Sequence, residues 1–272
     1  MTKRALCIGI NDYPGSQNDL QGCVNDANDW RQALENRKFT VTSMLDGAAT
    51  KSNMVEAFKK IVADTGKDDI AVITYSGHGT WMPDVDDFDN EPDGRDEALC
   101  PHDIMSGNVL VDDEIHEIFS MRNWGARLIF ISDSCHSGTV ARMCPGMPAL
   151  AKIPENAARI RFLDNSLFLK NAAVLSAANR MRAATFKHRI RSASVLFAGC
   201  QDDEYSYDAY INGRFNGAFS YVALNALAQL GEKATYLDWY RAIRNYLPNN
   251  NYPQTPNLAC AAYQRKWAVL KP

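Results

Sequence analysis

The chain has 272 residues, 46% of them hydrophobic and 22% charged, with a net charge of −3. A chain this long buries roughly three quarters of its unfolded surface, so one large α/β domain or two small ones fold without disulfide or metal staples. The slightly acidic balance argues against a nucleic-acid partner, and no apolar run approaches the roughly 18 to 20 residues of a membrane span.

Short apolar runs rich in β-branched residues alternate with segments of helical periodicity. The runs at 4–10 (RALCIGI), 39–45, 69–76, 126–133, 172–178 and 193–200 read as buried strands of a parallel sheet. Helices are expected over 22–37, where Val24, Ala27, Trp30, Ala33 and Leu34 share a face, over 50–66, 111–122, 216–231 and 235–247. The alternation predicts an α/β fold with a mostly parallel central sheet and helices on both faces. Two stretches fit neither pattern: the acidic, Gly- and Pro-punctuated 83–97, read as a loop, and Thr139 to Asn171, which carries Pro145, Pro148 and Pro154 and no clear strand. The short apolar run before Asn11 and Asp12 is too brief for a signal peptide. The seven cysteines are scattered and form no C-x-x-C pair for zinc or thioredoxin-type chemistry, so a reduced, cytoplasmic protein is expected.

Two of the strands end on reactive side chains. AVITYSGHG delivers Ser76, Gly77, His78 and Gly79; LIFISDSCHSG delivers Asp133, Ser134, Cys135 and His136. Ligands of open α/β sheets sit outside the carboxyl ends of the strands. If these strands are neighbours, a thiol and an imidazole meet there, the basic unit of nucleophilic catalysis. A cysteine after a strand is more often buried and inert; what changes the balance is that both residues occupy strand ends with glycine close by, Gly77 and Gly79 beside His78 and Gly138 after Cys135. His136, adjacent to Cys135, is read as a loop residue. The stretch CHSGTVAR is no phosphate loop, because six residues rather than five separate Cys135 from Arg142.

YSGHG followed 57 positions later by DSCHSG resembles the caspase-like cysteine peptidases, and within them the metacaspases and their bacterial relatives, the orthocaspases. Animal caspases carry Q-A-C-x-G with the His about 50 residues upstream. ALCIGINDY, GCVNDA, DGRDEALCPHD, LVDDEIHEIF, FAGCQDDEYS, GAFSYVALNAL and QTPNL extend the likeness in order along nearly the whole chain. The resemblance implies the caspase-haemoglobinase fold: a sheet of six or more strands in one peptidase domain over 1–272. Within it the resemblance implies a large-subunit-like region over 1–142, a basic mobile linker over 143–171 and a small-subunit-like region over 172–272. It implies an endopeptidase with Cys135 as nucleophile, His78 as general acid and base, and the N–H groups of Gly79 and Cys135 as oxyanion hole.

Two carboxylates near the nucleophile, Asp133 and Asp26, would favour a cationic side chain before the scissile bond, above all the bidentate fork of Arg. The resemblance says the same: the matching positions, Cys23, Asp26, Ser76 and Asp133, line the pocket for Arg or Lys. The expected partners are therefore proteins or peptides carrying Arg or Lys, cut by a monomer that binds neither nucleic acid nor membrane. Calcium is implied as an activator, through Asp93, Asp96, Asp112 and Asp113, although Arg142 stands where the family has an Asp ligand. The basic residues of 139–192, among them Arg142, Arg159, Arg161 and Arg180, offer self-processing sites. The alternative is a catalytically silent or partner-gated scaffold that binds peptides without cutting.

Overall fold

The computed structural model of the chain describes residues 1–83, 95–135, 158–169, 194–201 and 204–272. The expected strand at 172–178, Asp93, His136, Arg142 and most of the basic linker lie outside these described residues.

The central sheet has six strands among the described residues. Its order is β12 (Asn257–Ala259), β9 (Val195–Ala198), β7 (Arg127–Asp133), β3 (Ile70–Ser76), β1 (Lys3–Gly9) and β2 (Thr40–Leu45). All neighbours are parallel except β12, which closes the edge antiparallel to β9. Every residue of β3 is buried, as a strand flanked on both edges and covered on both faces requires.

The pleat divides the core in two. Leu6, Ile8, Ile73, Leu128 and Phe130 pack with α2 (Lys51–Asp64) and α3 (Asp112–Ser120) on one face. Their alternates Ala5, Cys7, Val72, Ile129 and Ile131 pack with α1 (Cys23–Glu35), α4 (Ala218–Gln229) and α5 (Tyr236–Arg244) on the other. The helices start where local chemistry satisfies their free N–H groups. Asn11 Oδ1 accepts from Cys23 and Val24 at the head of α1, and Thr235 and Asp238 form a reciprocal capping box at α5.

Two small sheets flank the carboxyl edge. One joins β4 (Gly79–Pro83), β5 (Arg95–Leu99) and β6 (Leu110–Val111). Residues 95–97, expected from sequence to end an acidic loop, instead belong to a strand held antiparallel to β4. The other joins β8 (Ala158–Ile160), β10 (Tyr207–Ile211) and β11 (Arg214–Gly217). No strand is legible in the sequence between Thr139 and Asn171; β8 lies there because β10 offers it a partner in space, with Tyr207 opposite Ile160 and Asp208 opposite Arg159. No described helix is long and apolar enough to cross a membrane.

Candidate active site

β3 and β7 are adjacent and in register, Ser76 opposite Asp133, so the segments that follow them emerge side by side at the carboxyl edge. His78 and Cys135 are both buried there. The His78 N–H donates to the Tyr13 hydroxyl at 2.9 Å, and the Tyr13 ring lies against the imidazole with centroids 4.8 Å apart. Gly77 is required in this turn because a Cβ on it would come within 2.6 Å of the Tyr75 hydroxyl and 2.7 Å of that of Tyr13.

The imidazole Nε2 lies 2.7 Å from the main-chain carbonyl oxygen of Asn18. A carbonyl can only accept, so the proton of the neutral ring resides on Nε2, and Nδ1, which has no hydrogen-bond partner, carries the lone pair. The His78 pKa is lowered to about 4, chiefly by burial and further by the charge of Arg161, against the pull of the Asn18 hydrogen bond. His78 is therefore a neutral base at ordinary pH. The Cys135 thiol does not meet it in this arrangement: Sγ donates to the Ser206 carbonyl at 3.3 Å and accepts from the Ser206 N–H. It also neighbours the Cys200 thiol, whose pKa is pushed well up by its hydrogen bond with Cys135 and by burial.

The residue seated in front of these groups is Arg161, expected from sequence among the basic residues of a mobile linker that offer self-processing sites. It is wholly buried. Its carbonyl oxygen accepts from Gly79 N–H at 2.9 Å and Cys135 N–H at 3.1 Å, and its own N–H donates to the Ser206 carbonyl at 3.0 Å. Beyond it, Leu163 N–H donates to Gly79 O at 3.0 Å. The guanidinium enters a nest of three carboxylates: Nη2 lies 2.6 Å from Asp26 and 3.0 Å from Asp208, and Nη1 lies 3.2 Å from Asp133 Oδ2. Nη1 also donates to the Asp133 carbonyl at 3.1 Å.

These carboxylates are held by main chain. Asp133 accepts from Ser220 N–H at 2.8 Å and Asp26 from Gly217 N–H at 3.0 Å, both at the start of α4; Asp208 accepts from Gln21 and Gly22 N–H at the start of α1. Helix N-termini favour the ionised form. Burial nevertheless pushes Asp26 up to about 7 against the pull of Arg161, with Asp133 adding to the rise. Gly217 forms the pocket floor: a Cβ there would come within 2.2 Å of Asp133 Oδ2 and 2.5 Å of Arg161 Nη1.

Of the residues expected in the pocket, Asp26 and Asp133 touch the guanidinium. Cys23, at the first turn of α1, and Ser76, in register with Asp133, are buried and contribute no hydrogen bond to it. Asp208, Gly217 and the Asn18 carbonyl are not legible as site groups in the sequence. Asp208 sits among other acids in QDDEYSYD, and a main-chain carbonyl leaves no trace in residue type. Of the residues implied around calcium, Asp96 is on β5, whose Ala98 lies opposite Val111 directly before Asp112 and Asp113 at the start of α3, and Asp93 lies outside the described residues. Among the described residues no three acidic, His or Cys side chains converge to hold a metal.

A parallel sheet with a buried Cys and His at its carboxyl edge, and two N–H groups on one carbonyl, has the layout of a cysteine peptidase. The family model for the caspase domain matches residues 2–267, and the chain belongs to this family of peptidases. It is similar to metacaspase-1 of Schizosaccharomyces pombe, 30% identical over 95% of this chain and 67% of that protein. It is likewise similar to metacaspase-1B of Aspergillus oryzae, 31% identical over 95% of this chain and 68% of that one. The chain thus spans about two thirds of the length of these relatives. The crystal structure of protein GSU0716 from Geobacter sulfurreducens superposes with a TM-score of 0.78 at 30% identity, covering 100% of this chain and 99% of that one.

Proposed function

We propose that the chain is a cysteine endopeptidase that cuts proteins after Arg or Lys, acting as a cytoplasmic monomer, and that its own Arg161–Phe162 bond is its first substrate. The observation that carries this reading is the seating of Arg161, whose carbonyl rests on the Gly79 and Cys135 N–H groups while its guanidinium fills the acidic pocket. Here Arg161 stands in for the substrate residue before the scissile bond, and Ala158–Ile160, paired antiparallel to β10, stands in for the residues preceding it.

The proposed chemistry follows from these positions. The thiol leaves Ser206 and passes its proton to Nδ1 of neutral His78, and Sγ attacks the carbonyl carbon. Negative charge developing on the oxygen is met by the two N–H donors already aimed at it, each worth about 10²–10³ in rate by analogy with other oxyanion holes. The Asn18 carbonyl steadies the imidazolium, which protonates the leaving amine, that of Phe162 in the first turnover. Water, deprotonated by His78, then hydrolyses the thioester. Calcium takes no part in these steps.

A scaffold that binds partners without cutting is the second reading. The observation on its side is that the thiol rests on Ser206 rather than His78. Fluorogenic peptides ending in Arg, Lys, Asp or Leu, incubated with calcium or with chelator beside a Cys135→Ala control, separate the two. Cleavage after Arg or Lys that vanishes in the control supports the peptidase; cleavage after Asp overturns the pocket assignment; silence from wild type and from the unplugged Arg161→Ala chain alike supports the scaffold or a partner-gated protein. Dependence on calcium in the chelator arm would establish the activator role that the resemblance implies.

A further inference from the structure

We propose that Asp208 is a specificity-determining carboxylate of the same pocket, and that its position makes the pocket select arginine over lysine. This deepens the Arg-or-Lys reading above and rests on it. Both terminal nitrogens of Arg161 are doubly held, Nη2 by Asp26 and Asp208 and Nη1 by the carboxylate and carbonyl of Asp133. A lysine Nζ falls, by bond count, where arginine has Cζ, one bond short of either nitrogen. A carboxylate placed 3.0 Å from Nη2 is therefore out of direct reach of an ammonium that keeps the same main-chain seat.

Asp208 cannot easily move in to meet a shorter side chain. Its Oδ2 accepts from Gln21 N–H at 2.7 Å and its Oδ1 from Gly22 N–H at 2.9 Å, so both oxygens are pinned to the head of α1. From the main chain it is fixed on the opposite side, in β10 between β8 and β11. The pocket is closed to solvent, with Asp26, Asp133, Asp208 and Arg161 all buried. An Asp208 left without its charge-assisted partner in such surroundings is a cost that an arginine substrate avoids and a lysine substrate incurs.

The test is the ratio of kcat/KM for two peptides differing only in Arg or Lys before the scissile bond, measured on wild type and on Asp208→Asn. Because both substrates are read on one preparation, the ratio is independent of how much of the variant folds. Wild type is expected to favour Arg by about 10- to 100-fold, and Asp208→Asn to bring the ratio about tenfold closer to one, chiefly by losing arginine turnover. A wild-type ratio near one, or a ratio unmoved by the substitution, overturns the proposal while leaving the peptidase intact. Wild type that neither cuts itself after Arg161 nor cuts either peptide sinks the underlying reading and this one together. Should Asp208→Asn fail to fold, Arg161→Lys in the full chain asks the same question in cis. Its cleavage at 161–162 is expected to be about tenfold slower or more, and an unchanged rate overturns the selection.

Discussion

The main-chain N–H of Cys135 donates to the carbonyl oxygen of Arg161 across 3.1 Å, tying the proposed nucleophile's own backbone to a residue of the same chain. In the function proposed above, Arg161 is both the residue presented for cutting and the plug that denies the pocket to any other substrate.

Replacing Arg161 by Ala should therefore do two opposite things. Fragments ending at residue 161 disappear, while hydrolysis of an Arg peptide begins without prior processing. Intact-mass spectrometry reads the first and a fluorogenic assay the second. An Arg161→Ala chain still cut between 161 and 162, or one inert until cut elsewhere, contradicts the plug.

Cleavage at Arg161–Phe162 should not release either piece. Leu163 and Phe168, just beyond the bond, are buried in the core with α2 and α3, and Leu163 N–H is bonded to Gly79. Burying two such side chains stabilises by about 1.5–3 kcal/mol each. The processed protein is expected to elute from a sizing column at the position of the intact chain, and to separate only in denaturant.

Gly217→Ala tests the pocket floor. The added methyl collides with Asp133 and with the site of the arginine Nη1. A loss of at least about 100-fold in kcat/KM for Arg peptides is expected, with a melting temperature still showing a folded protein. Activity within a few-fold of wild type would mean that substrates use another pocket.

His78 should leave a signature in the pH dependence of stability. Its folded pKa is lowered from 6.5 to about 4, so between those values the unfolded chain binds a proton that the folded chain refuses. Its contribution is present above pH 6.5 and lost as pH falls to about 4, by no more than about 3 kcal/mol. Denaturant unfolding of Cys135→Ala at about pH 7 and about pH 4.5 should show a larger acid loss than that of Cys135→Ala with His78→Gln. Equal losses would mean that the imidazole is solvated.

Much of this is written in local pattern. The buried runs and helical periods mark five strands of the central sheet and the described helices to within a few residues, because burial on both faces demands continuous apolar strands and one-sided helices. β12 is not legible: three residues antiparallel at an edge carry no periodicity worth reading. His78, set between Gly77 and Gly79, and Cys135 are legible as candidates because nucleophilic chemistry needs those residue types, and Asp26 and Asp133 because charge is visible as residue type.

Sequence by itself determined which residues could react and that their strands would be buried. Only the tertiary structure decided what faces them. Arg161, of all the basic residues of the linker, became the occupant of the site because β10 supplied a free strand edge and three carboxylates from three separate elements supplied the charge that a buried guanidinium needs. Asp208 and the Asn18 carbonyl likewise acquired their places from contacts across the fold, which no window of sequence contains.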